Sequence, residues 1–204
     1  MKERFRKARG FSLIELLVVT AIISLLVGLA VPAVNATLRS SHLGGSGDAL
    51  VGQLNLARQT ALSRSLPVEM RLYKLPPQGQ AAGAPTSYRA VQCFLLEGTN
   101  SVPVTRMQNF AQSVNCSSNV SESSLLDDAV LPEKSPVAGE DIPGYGLNYR
   151  YRSFYFKPGG ATSLPNGDSY VTLVLEHDKA LSQGANYFTI QIDPLSGRTR
   201  TFRP

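Results

Sequence analysis

Apolar and polar positions divide the chain into three regimes. From Leu16 to Leu38 no side chain is charged, and with Phe11 to Ile14 the apolar run "GFSLIELLVVTAIISLLVGLAVPAV" is broken only by Glu15. A helix needs about 20 residues to cross a hydrocarbon core about 30 Å thick, so the run predicts a membrane-spanning helix over residues 11–38. Pro32 removes a backbone donor and predicts a kink. In the second regime, residues 39–66, Gly44, Gly45 and Gly47 predict a loosened or broken helix, because each glycine costs about 1 kcal/mol in a helix interior. "DALVGQLNLARQTALSRS" then repeats Leu50, Val51, Leu54, Ala57, Ala61 and Leu62 at helical spacing, with Gln53, Arg58, Gln59 and Arg64 facing elsewhere. This apolar stripe predicts an amphipathic continuation lying on a sheet, ended by Pro67.

From Val68 the period becomes two. "VEMRLYKL" puts Val68, Met70 and Leu72 on one face, and "SYRAVQCFLL", "YRYRSFYFKP", "YVTLVLEH", "YFTIQID" and "RTRTF" have the β-branched and aromatic content of strands. Turn-rich joints separate most of them: "LPPQGQAAGAPTS", "FKPGGATSLPNGD" and "DPLSGR", the last with Gly197 supplying positive φ. The predicted fold is α+β: one long N-terminal helix packed on a mainly antiparallel sheet, within a β domain over residues 67–204. Residues 98–148, rich in Ser, Asn and Pro, read as an irregular insertion with two short strands. Irregular excursions of this kind sit on surfaces and often carry recognition.

Charge adds orientation. The 204-residue chain has a formal charge of +5, but Lys2, Arg4, Arg6, Lys7 and Arg9 crowd the first nine residues against Glu3 alone, and the remainder is almost neutral. Basic residues before a span stay cytoplasmic, which sends the C-terminal bulk across the membrane. An ordinary secretory signal peptide, cleaved near Gly28 to Ala30, is the competing reading; its apolar region usually holds about 7 to 15 residues and would not carry a carboxylate.

A basic leader ending in Gly10, then Phe11, then Glu15 as the fifth residue after the glycine, then a long apolar helix resembles the N-terminal signal of type IV pilins and type II secretion pseudopilins. The resemblance implies cleavage after Gly10 by a prepilin peptidase, leaving residues 1–10 as a leader, and N-methylation of the freed Phe11. Pro32 stands where many such proteins bend. A carboxylate at bilayer depth is costly unless paired, and the freed amine of a neighbouring subunit's Phe11 is the partner that the resemblance supplies. Glu15 is thereby expected to register subunits in a filament.

"LNLARQTALSRSLPVEMRLYK", "FYFKPGG" and "IDPLSGRTR" are similar to segments of H-type minor pseudopilins and FimT-like minor pilins. "NYFTIQIDPLSGRTRTFRP", with "QLNLARQTAL" and "YRAVQ", resembles the pilin-like group called Verru_Chthon cassette protein D. The implied protein is a non-enzymatic subunit of an inner-membrane filament machine, single-pass with its domain periplasmic, whose partners are other pilins or pseudopilins, the prepilin peptidase and secreted cargo. In the FimT-like branch a Gly-Arg-x-Arg tail is linked to DNA capture, and Gly197, Arg198, Thr199 and Arg200 match it. Arg198, Arg200 and Arg203 are therefore the alternative, nucleic-acid-binding reading; arginines on an edge strand also guard against edge pairing.

Other chemistry is sparse. His42 and His177 have no metal-site spacing, Asp127 and Asp128 lack an EF-hand pattern, and no nucleophile elbow, phosphate loop or zinc-protease motif occurs. A membrane-tethered enzyme would need an acid, base or metal cluster brought together by the fold, and no cofactor is implied. Cys93 and Cys116 read two ways: a disulfide worth about 3 kcal/mol that ties the insertion to the sheet, or buried small hydrophobes.

Overall fold

The computed structural model describes residues 12–77, 79, 84–176 and 186–204, with the side chains of 29–33 and 36 left aside. Gly10, Phe11 and His177 lie outside the described residues, and Pro32 is described in its backbone alone. The chain divides into two units, Met1–Arg39 and Ser40–Pro204.

Helix α1, Leu13–Arg64, runs without interruption. Its backbone stays helical through Pro32, and the break expected at Gly44, Gly45 and Gly47 does not occur. The helix keeps these glycines because two of them face the domain closely. A Cβ on Gly47 would lie 2.3–2.5 Å from the Phe188 ring, and one on Gly44 would lie 3.6 Å from the Arg203 guanidinium. The conformational cost of Gly47 is thus offset by ring packing that no larger residue permits. Gly45 has nothing within 4 Å. Gly47→Ala is therefore expected to destabilise by about 1–3 kcal/mol through overpacking, whereas Gly45→Ala stabilises by about 0.5–1 kcal/mol. Urea unfolding followed by circular dichroism checks the pair, and equal shifts would refute the close-approach explanation. After Arg64 the chain turns at Ser65, φ +53°, into Pro67.

Among the described residues nine strands follow, in two antiparallel sheets rather than the single sheet expected. The five-stranded sheet takes β1 (Val68–Leu75), β2 (Ser87–Glu97), β3 (Asn100–Pro103) and β6 (Arg150–Phe156) in the order β3-β2-β1-β6, with β4 (Gln108–Asn109) also paired to β2. The four-stranded sheet takes β5 (Val114–Cys116), β7 (Ser169–Leu175), β8 (Tyr187–Ile192) and β9 (Thr199–Phe202) in the order β5-β7-β8-β9. One core joins both sheets to the helix. Leu50, Leu54, Ala57 and Ala61 meet Val68, Met70 and Leu72 of β1 and Phe188, Ile190 and Ile192 of β8. The predicted stripe thus packs as expected, except that Leu62 is exposed and Leu43 joins the core. Gln53, predicted to face away, accepts at Oε1 from the Thr105 hydroxyl at 3.0 Å and from the Cys93 thiol at 3.3 Å.

The outer face of β1 is covered as well. Glu69, Arg71 and Tyr73 alternate with the core residues and are buried, because the insertion folds back over them. Tyr73, Ile142, Tyr149 and Tyr151 form a second cluster there, with the Tyr73 and Tyr149 rings edge-on at 5.5 Å. The insertion carries three short strands, β3 to β5, and a 3-10 turn at Ser124–Leu126 whose leucines are buried.

No disulfide joins Cys93 and Cys116. Both are free and buried, one in β2 and the other in β5, which belong to different sheets. Cys93 lies 3.8 Å from the Met70 sulfur. Burial pushes both thiols up to about 12, so they behave as small hydrophobes.

Candidate functional site

The described N-terminal helix begins with the Leu16 N–H donating to the Ser12 carbonyl at 3.1 Å. Glu15 stands exposed in the first turn. Around it the large side chains are bare: Leu13 is 81% and Ile14 70% exposed, and the pattern continues through Val27. A fully buried Leu or Ile gains about 1.5–3 kcal/mol over an exposed one, so this surface gains by being covered. Its two hydroxyls do not oppose that. Thr20 donates to the Leu17 carbonyl at 2.9 Å and Ser24 to the Thr20 carbonyl at 2.8 Å, which satisfies both within the helix and without water. Among the described residues no helix is long and apolar enough to cross a membrane; the described side chains of the run stop at Gly28 and resume at Val34.

At the other end, the last hairpin docks onto the strand end "FKPGG". Gly197 has φ +63°, as the sequence predicts, and its N–H donates to the Asp193 carbonyl at 2.8 Å. The Thr162 N–H donates to the Pro194 carbonyl at 2.8 Å, and Arg58 Nε from the helix donates to the Ser196 carbonyl at 2.8 Å. The segments that carried the family resemblance are therefore in mutual contact. Spacing alone does not reveal the role of Arg58 and places it only off the apolar stripe.

The structure separates the three C-terminal arginines. Arg198 and Arg200 are exposed and line one cleft with Asp168 and Asp193. Hydrogen bonds from Ser196 and from the Leu195 and Ser196 N–H groups hold the Asp193 carboxyl below its usual range, with a lesser contribution from Arg200. Arg203 is bound elsewhere. Its Nη2 donates to Asp48 Oδ1 at 2.9 Å, and its guanidinium stacks 4.1 Å over the Phe188 ring. It ties the C-terminus to α1 beside Gly44 and Gly47, with its side chain still about half exposed at 49%.

The remaining candidates are placed as follows. His42 is exposed on the helix. Asp127 accepts from the Ala129 N–H at 2.9 Å, and Asp128 pairs with Arg152 at 2.9 Å. Among the described residues no cluster of His, Cys, Asp or Glu is arranged to hold a metal ion. One partly exposed polar network escaped sequence reasoning because its members come from four separate segments. Arg152 Nε donates to the Tyr88 hydroxyl at 2.7 Å, and Tyr88 donates to Glu133, which also receives Lys74 at 2.9 Å. Burial alone would raise the Glu133 carboxyl, but the hydrogen bonds from Lys74 and Tyr88 prevail and lower it. Every charge in the network is met by an opposite charge or a hydrogen bond, which suits a structural role.

The chain thus has an apolar N-terminal helix with one acid in its first turn, continuing into an α+β domain. The family model described as the Prokaryotic N-terminal methylation motif matches residues 5–31. The chain carries that motif at its N-terminus. Among solved structures it is similar to the type IV minor pilin FimU of Pseudomonas aeruginosa (strain PAO1), at 14% identity and a TM-score of 0.45 over 80% of this chain and 93% of that one. It is also similar to the minor pseudopilin EpsH from the Type 2 Secretion System of Vibrio cholerae, at 8% identity and a TM-score of 0.44 over 80% of this chain and 98% of that one. At these scores the likeness carries no weight for function. No curated protein matches the chain.

Proposed function

We infer that the protein is a minor pilin or pseudopilin, a non-enzymatic subunit of a filament belonging to a type II secretion or type IV pilus-like machine. Prepilin peptidase cuts after Gly10 and Phe11 becomes N-methylated. The apolar helix anchors the subunit in the inner membrane, with residues 1–10 cytoplasmic and the β domain periplasmic, until the subunit enters the filament. Glu15 sets the register by pairing with the Phe11 amine of another subunit. The carrying observation is the methylation motif over residues 5–31, which includes the first turns of a helix whose large apolar side chains from Leu13 to Val27 are exposed. Solvent cannot be their resting environment, and bundled helices or lipid supply one.

Mass spectrometry of the mature protein tests the reading. The expected N-terminus is Phe11 carrying one added methyl group. A chain that begins near Val31 would make the run a cleaved signal peptide and overturn the proposal.

A further inference from the structure

The outer face of the five-stranded sheet holds a cleft of about 510 Å³ to which the filament role gives no task. This is within the range of sites that take a small molecule or a single long side chain. Tyr73, Phe94 and Gln92 come from β1 and β2, Met107 from the insertion and Tyr149 from the position just before β6, and the lip is the insertion segment that carries Glu140 and Asp141.

Its polar groups are fixed in advance. Arg71 is 6% exposed and sits 4.4 Å from the Phe94 ring centre and 4.8 Å from that of Tyr151. Its Nε donates to Glu69 at 2.8 Å and its Nη1 to Glu140 at 2.7 Å. The other Glu140 oxygen accepts from the Val137 N–H at 3.1 Å, and the Tyr149 hydroxyl donates to the Glu140 carbonyl at 2.7 Å. The Gln92 amide donates to the Thr105 carbonyl at 2.9 Å. A site held this way spends little ordering entropy when it is occupied.

Charge and surface together name the occupant. Glu140 in the lining and Glu69 outside it both pair with the single Arg71 cation, so this group carries one negative charge in excess. Asp141 adds a second, exposed at the lip and without a hydrogen bond or ion pair among the described residues. An anion is thus disfavoured. The walls are aromatic rings, a thioether and prolines, which favour an apolar stem. A ligand apolar along its length and cationic at its tip satisfies both conditions, and lysine and arginine side chains have that form. We propose that this cleft receives a basic side chain, Lys or Arg, presented by a partner protein.

The test uses the full chain in detergent micelles with ¹³C-methyl-labelled methionine. Met107 lines the cleft, while Met70 is fully buried in the main core and serves as the internal reference. Titration with N-acetyl-lysine methylamide is expected to move the Met107 resonance saturably and leave Met70 in place. The uncharged N-acetyl-norleucine methylamide and acetate should leave both in place. Asp141→Asn alters an exposed residue, so the fold persists, and affinity for the lysine derivative should fall by about two- to fivefold. The proposal is overturned if Met107 does not respond, if norleucine moves it as much as lysine, or if Asp141→Asn binds as tightly as the native chain. These readouts need no filament, so they stand or fall separately from the assembly role.

Discussion

Glu15→Gln should reduce incorporation into filaments by about 100-fold or more while leaving the subunit in the membrane. If an amine from another subunit meets the Glu15 carboxylate away from water, removing the acid leaves that cation unpaired. Breaking a buried pair in this way costs about 3–5 kcal/mol, and each 1.4 kcal/mol is a factor of ten in an equilibrium. The amide keeps the shape of the side chain and removes only its charge, so helix packing alone would not register the change. The measurement compares the variant in sheared filaments with the variant in the membrane fraction, and mass spectrometry of the N-terminus confirms that processing at Phe11 is unaffected. Glu15→Asp, which retains the charge, should keep part of the incorporation. A glutamine variant that assembles like the native protein would remove the pairing from the proposal.

The second large effect is expected in the domain. Gly197→Ala should cost about 3 kcal/mol, lowering the unfolding temperature by roughly 10 °C for a domain of this size. Two terms combine. At φ +63° a side chain pays about 1 kcal/mol for the left-handed backbone. In addition, its Cβ would lie 2.3 Å from the Gly160 carbonyl oxygen and 3.1 Å from the Phe156 ring. A carbonyl cannot rotate away as a flexible side chain can, and the backbone there is held by the Gly160 N–H donating to the Lys157 carbonyl and the Lys157 N–H donating to the Ala161 carbonyl. Gly98 is the control. Its φ is +62°, but nothing lies within 4 Å of the added Cβ, so Gly98→Ala should lose only the backbone term of about 1 kcal/mol. Thermal unfolding of the two variants side by side separates strain from packing. Equal losses would show that the contact with Gly160 contributes nothing.

The sequence by itself determined whatever depends on near neighbours. The charge-free run after Glu15, the basic leader and the spacing of Gly10, Phe11 and Glu15 are complete within about 40 consecutive positions, and they point to a pilin-like anchor without any knowledge of the domain. The period-two pattern of Val68, Met70 and Leu72 identified the inner face of β1, and the turn residues around Gly197 identified the last hairpin, because strand alternation and positive φ are properties of a few adjacent residues.

Only the tertiary structure decided what depends on distant partners. Gly47 reads locally as a helix breaker and becomes a packing site because Phe188 lies against it. Arg71, on the face of β1 opposite Val68, Met70 and Leu72, is buried because Glu140, 69 positions along the chain, returns to meet it. Arg203 reads as part of a basic tail and becomes a tether because Asp48 is 155 positions away in sequence and 2.9 Å away in space. Propensity and periodicity are sums over neighbours in the chain, whereas burial and charge pairing are sums over neighbours in space, and these contacts exist only once folding has closed the intervening loops.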